Sequence, residues 1–219
     1  MLLSSARSIA SVLAVISLLT RSAFAFDTPL SDQAVREAYF LGQRHDASLL
    51  NKYIKLLPPS KTGPHISSIA FLTPFAQLVQ LSDRNVGSYS AQQAQLERRG
   101  REEFVRIIIQ IQLTPTYGAS LAPEASSRAS SPPTHIPRRR DFWRDFQVQI
   151  YDGGQSLTPH DSHGRANYGC GRSGPCALTG ATVEFEFSAG AFTSDTAVIQ
   201  VTPPEGDPVS LDFDLTLLR

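Results

Sequence analysis

The chain has 219 residues, 41% of them hydrophobic, with 20 basic against 20 acidic side chains. That is enough apolar material for a full core in one domain, or in one domain with a smaller appendage. Charge neutrality argues against a general nucleic-acid binder or a binder of anionic membranes, because both carry a basic surplus.

The N-terminus, MLLSSARSIASVLAVISLLTRSAFAF, has the three parts of a secretory signal peptide. Arg7 supplies a positive start, Ile9 to Leu19 is an uncharged run of 11 residues, and Ala23 and Ala25 are small residues at the positions a signal peptidase reads. Cleavage is expected between Ala25 and Phe26. A membrane anchor is the rival reading, but a spanning helix needs about 20 apolar residues, and Arg21 cuts this run short. Loss of Arg7 and Arg21 with the leader would leave 18 basic and 20 acidic residues.

Residues 26–100 read as a helical segment. Ser31 can cap a helix through Leu41, ended by Gly42. Asp46 can cap the next, in which Leu49, Leu50, Tyr53, Ile54 and Leu57 fall at helical spacing before Pro58 and Pro59 stop the run. The apolar stretch from Ile66 to Leu81 contains Pro74, so it divides in two, the second piece starting with Thr73 as cap and Pro74 in the first turn. Ser90-Ala91-Gln92-Gln93 has the form of a capping box for a helix to Arg99.

From Phe104 the apolar period changes from 3.6 to 2. FVRIIIQIQL, FQVQIY, ATVEFEF, TAVIQV and VSLDFDLTL each put apolar and polar side chains on opposite faces. Strands with one dry and one wet face belong to antiparallel sheets, and a second sheet is the simplest cover for the dry faces. Asp152-Gly153-Gly154 and Glu205-Gly206-Asp207 supply hairpin turns. The fold expected is therefore α+β: short N-terminal helices, then an antiparallel, immunoglobulin-like β-sandwich over residues 101–219. LAPEASSRASSPPTHIPRRR interrupts it, and its Ser, Pro and Ala content predicts a disordered surface loop at about 120–140.

Few constellations carry chemistry. Gly169, Gly171 and Gly174 spell G-x-G-x-x-G, but a dinucleotide site needs a strand before and a helix after it, and Pro175 and Cys176 follow instead. Cys170 and Cys176, in an exported chain, are expected to form a disulfide. The alternative is zinc held with His160 and His163, although H-x2-H-x6-C-x5-C matches no common zinc module. Asp161-Ser162-His163 contains three triad residue types, yet sequence neighbours rarely meet in triad geometry and no G-x-S-x-G elbow is present. Arg138, Arg139 and Arg140 beside Phe142 and Trp143 resemble a nucleic-acid patch, offset by Asp141 and Asp145. Glu184, Glu186, Asp212 and Asp214 would crowd if their strands paired. Solvated faces are the preferred reading, with arginines or a calcium ion as the compensation otherwise required.

The segments TPLSDQAVREAYFLGQR, FLTPFAQLVQ and YSAQQAQ, with the terminal PVSLDFDLTLLR, resemble a group of exported bacterial proteins of unknown function. The resemblance spans most of the mature chain. It implies a helical front, a β-rich back half and no activity, and it carries over no catalytic residue.

The expectation is thus a periplasmic or secreted, non-enzymatic binding or structural module. It should use no cofactor, no catalytic cluster and no nucleic acid, carry no integral membrane segment after cleavage, and have an envelope or extracellular partner. The competing expectation is an envelope hydrolase or metal-dependent enzyme built on His160, Asp161 and His163.

Overall fold

The computed structural model describes residues 25–59, 63–114, 139–170 and 176–219. The leader up to residue 24 and nearly all of the loop expected at about 120–140 lie outside these residues. Among the described residues nine strands form two antiparallel sheets. In chain order they are β1 (Ile54–Leu56), β2 (Pro64–Leu72), β3 (Phe104–Leu113), β4 (Gln147–Asp152), β5 (Gln155–Leu157), β6 (Asp161–Cys170), β7 (Cys176–Ser188), β8 (Thr196–Thr202) and β9 (Val209–Asp214). The larger sheet has the order β1-β2-β3-β7-β6 and the smaller β5-β4-β8-β9.

The period-2 segments form strands, except that the one expected over VSLDFDLTL ends at Asp214 and passes into a 3-10 turn, Leu215–Leu217, which leaves Leu217 exposed. Along β3, Val105, Ile107, Ile109 and Ile111 are buried, whereas Arg106, Ile108 and Gln110 between them are only partly so. Val183 and Phe187 of β7, Ala197, Ile199 and Val201 of β8, and Phe213 of β9 join them in one core shared by both sheets. Burying each large aliphatic or aromatic side chain contributes about 1.5–3 kcal/mol. The hairpin β4–β5 turns on Gly153 and Gly154, both at positive φ (53° and 85°), as a tight two-residue turn between antiparallel strands demands.

Among the described residues three α-helices form: α1 (Asp32–Gly42), α2 (Pro74–Arg84) and α3 (Ala91–Arg98). The expected caps form. Ser31 accepts from the Ala34 amide, Thr73 from Ala76 and Ser90 from Gln93. Ala34, Val35, Ala38, Phe75, Leu78, Val79 and Ala94 make a second, smaller core between the helices. Gln77 locks α2 to the sheet by donating to the carbonyl oxygens of Leu72 and Phe104 at 2.9 and 2.7 Å.

Two helical readings are corrected. Asp46 does cap a helical turn, but that turn is a short 3-10 helix, Ala47–Tyr53. The chain then extends, so Ile54 is the first residue of β1 rather than part of a helical face, and Leu57, expected on that same face, lies beyond the end of β1. Ile66 to Leu72, expected to be a separate helical piece, is most of β2 and pairs with both β1 and β3. Its apolar spacing suits a helix, but the free edge of β3 offers a backbone ladder on which Ile66, Ile69, Phe71 and Leu72 are all buried. Tertiary burial outweighs local propensity here. The segment before residue 100 therefore contributes two of the five strands of the larger sheet.

Candidate functional site

The wet face of the larger sheet gathers Asp161, His163, Glu184 and Glu186 around Arg106. Register places Arg106 opposite Glu186 and His163 opposite Glu184. Arg106 lies between the two carboxylates, with Nε 2.5 Å from Glu184 Oε1 and Nη2 donating to Glu186 Oε1 at 3.1 Å. His163 closes the row, its ring nitrogens 3.5 Å from Asp161 and 3.6 Å from Glu184. A second rung follows, in which Thr182 donates to Gln110 and Asn167 donates to Thr182. Glu184 and Glu186 are thus not plain solvated side chains but half-buried partners of one arginine. Asp212 and Asp214 lie on β9 in the other sheet, so the four carboxylates never meet. Solvent still reaches these pairs and holds each to about 0–1 kcal/mol, and the row works as cross-strand packing on the sheet face.

The hydrolase or metal-dependent alternative needs His160, Asp161 and His163 together in one polar loop, but Asp161 opens β6. Strand alternation then separates the three triad residue types. Asp161 and His163 point to the wet face, while Ser162 points inward and lines a cleft between the sheets. The hydroxyl and the imidazole cannot share a proton across the strand. His160 lies just before the strand with its ring 5.1 Å from that of Phe104, so the two histidines take different partners. Among the described residues, no group of three or more His, Cys, Asp or Glu side chains could hold a metal ion.

Cys170 and Cys176 form the disulfide and face each other in the β6–β7 register with Cα atoms 4.1 Å apart. The bridge therefore staples the end of a hairpin. Closing so short a loop contributes on the order of 2 kcal/mol.

Near the helices, a cleft of about 270 Å³ is bordered by Gln77, Tyr89, Arg98, Glu103 and Arg106. Its polar groups have structural tasks. Tyr89 donates to Glu97 at 3.1 Å, and burial together with that carboxylate pushes its hydroxyl up to about 12. Burial pulls the Arg98 guanidinium down, opposed by nearby Glu103. Glu103 accepts from the Leu30 amide and the Thr28 hydroxyl at 3.1 Å, tying the N-terminal strap to the start of β3.

A second cleft lies between the sheets at the β6 side and has a volume of about 420 Å³. Its cause is visible in β6, whose inward residues are Ser162, Gly164 and Ala166. These face Phe185, Val183 and Ala181 of β7 but are too small to fill the space toward β4. Trp143, on the 3-10 turn Phe142–Asp145, leans into that space against the Gly164 backbone. A Cβ at position 164 would lie 2.5 Å from the indole carbons, so only glycine fits beneath the ring. Phe146 and Val148 complete the apolar wall. The Arg144 guanidinium stands 5.3 Å from the Trp143 ring centroid, with its side chain 68% exposed and Asp141 3.9 Å away.

Sequence reasoning noticed Trp143 only as a neighbour of the arginine run. The structure pairs Arg139 with Asp145 at 3.0 Å and with Asp141 at 3.8 Å, while Arg138 lies outside the described residues. The signal that could have found the cleft is the run Ser-x-Gly-x-Ala at alternate positions, small residues where a sandwich strand normally presents large ones. Comparison with models of protein families and with curated proteins finds no match to this chain.

Proposed function

We propose that this chain is an exported, non-enzymatic binding module. The cleft between β4 and β6 takes the apolar body of a small amphipathic anion, and Arg144 holds the head group. The observation that carries this reading is the gap left by Ser162, Gly164 and Ala166, walled by Trp143 and rimmed by a lightly paired arginine. Ligand sites are typically apolar concavities with a few placed polar groups, and an arginine at the mouth selects an anionic head by charge-assisted hydrogen bonds. An immunoglobulin-like use of the sandwich belongs with this reading, in that ligands meet the ends and edges of the sheets. Export is supported by the leader pattern, by the resemblance of several segments to exported proteins, and by a disulfide of the kind that persists in oxidising surroundings. The ligand is then an envelope or extracellular molecule. Among the described residues no helix is long and apolar enough to cross a membrane.

Trp143 is the chain's single tryptophan, so its emission reports on the cleft directly. Decanoate is expected to change that emission saturably. Arg144→Glu should weaken decanoate by about tenfold, the equivalent of roughly 1.4 kcal/mol, while affecting decanol little. Ser162→Phe, which fills the cleft from β6, should remove the response. An emission that ignores decanoate, or a titration identical in wild type and Arg144→Glu, overturns the assignment. So does turnover of an envelope ester by the pure protein.

Export has its own check. Intact-mass measurement on protein from its native host should find a chain beginning at Phe26 with both thiols resistant to alkylation before reduction. A mass that retains residues 1–25 contradicts it.

A further inference from the structure

β6 is the outermost strand of the larger sheet, and it is ten residues long. The other terminal strands are shorter: β1 and β5 have three residues each and β9 has six. The inner edge of β6 pairs with β7, and no described strand pairs with its outer edge. Asp161, Ser162, His163 and Arg165 are exposed. A long strand with an unpaired backbone edge is a template for another strand.

The side chains say which strand fits. On the wet face β6 presents Asp161, His163 and Arg165 in succession. Among the described residues Arg165 has no ion pair, and Asp161 meets only His163 at 3.5 Å. The segment is therefore acidic at one end, basic at the other, and lightly committed within its own chain. Turned about a two-fold axis at His163, a second copy places its Arg165 opposite Asp161 and its Asp161 opposite Arg165. Ser162 and Gly164 face each other between these pairs, with little side chain to hold the backbones apart. A parallel arrangement would instead set Asp161 on Asp161 and Arg165 on Arg165, and directly opposed like charges destabilise a sheet. The regular stretch ends at the irregularity between Asn167 and Tyr168, which confines the pairing to the first half of the strand.

We propose that two copies of this chain associate edge to edge through β6, antiparallel about His163, joining their larger sheets into one. The closed two-fold symmetry uses up both edges and stops at the dimer.

Analytical ultracentrifugation of the disulfide-bonded chain tests this with charge variants at exposed positions. Wild type should show a concentration-dependent monomer–dimer equilibrium that weakens as salt rises. Asp161→Arg alone and Arg165→Asp alone each set like charges opposite one another twice, and each should weaken the dimer by about tenfold or more. Mixed in equal amounts, the two variants carry complementary segments, two arginines against two aspartates. They should associate as a heterodimer at close to wild-type strength. Circular dichroism should be unchanged throughout, since neither position is packed. A wild type that stays monomeric, a dimer insensitive to either substitution, or a mixture no better than its components overturns the proposal.

Discussion

Replacing Phe71 by alanine is expected to destabilise the folded chain by about 3–5 kcal/mol, the range for deleting a fully buried phenylalanine. Phe71 lies on β2 with no exposed surface. Its ring sits 5.1 Å from Phe192, 5.6 Å from Phe213 and 6.4 Å from Phe26, measured between centroids. Those three neighbours belong to three separate parts of the chain: the residues before the first helix, the turn before β8, and β9 in the opposite sheet. Truncation opens a cavity that no single segment can collapse into, because each side of it is held by a different part of the chain. Phe71→Leu keeps most of the volume and should cost far less, since near-volume-conserving swaps are tolerated best. Urea denaturation followed by circular dichroism measures both. A loss under about 1 kcal/mol for Phe71→Ala would mean that the two sheets do not share one aromatic core.

The second large effect is expected at Asp152, where the cause is polar rather than apolar. This carboxylate ends β4 and is 6% exposed. It accepts from the Thr193 amide at 2.9 Å, the Thr193 hydroxyl at 3.1 Å and the Ser194 amide at 3.1 Å. It thereby clamps the turn before β8 to the β4–β5 hairpin. Asp152→Ala leaves these donors without their acceptor, and an unsatisfied buried group costs about 1–3 kcal/mol. A total loss of about 2–4 kcal/mol is expected, because the donors share one turn and can partly rehydrate together. Asp152→Asn retains one acceptor oxygen but turns an amide toward the remaining donors, so it should fall between wild type and alanine. Equal stability for all three forms would show that the clamp contributes nothing. Sequence reading passed over this residue as part of a hairpin turn, since an aspartate before two glycines is ordinary turn chemistry.

The comparison of Asp152 with Ser31, Thr73 and Ser90 shows where local reading succeeds. A helix cap bonds to an amide three residues away, so its partner is already written beside it. Asp152 bonds to residues 41 and 42 positions later, and nothing near it announces them. The candidate site divides the same way. The Cys170–Cys176 bridge joins residues six apart, and the leader's compartment logic anticipates it. The Arg106 ion pairs span about eighty residues and depend on which strand lies beside β3.

What the amino-acid sequence determined by itself was every feature whose cause is local. The alternation of β3, β4, β7, β8 and β9, the three helix caps, the Gly153-Gly154 turn and the cysteine pair each follow from neighbours within a few positions. The tertiary structure alone decided that Ile66 to Leu72 is a strand, and that Asp161-Ser162-His163 is split across the two faces of β6. It also decided that small inward residues leave a cleft beside Trp143. The reason is that a strand's partner is chosen by surfaces distant in sequence. A segment with weak or mixed periodicity, such as β2 or β6, takes its conformation from the edge it joins.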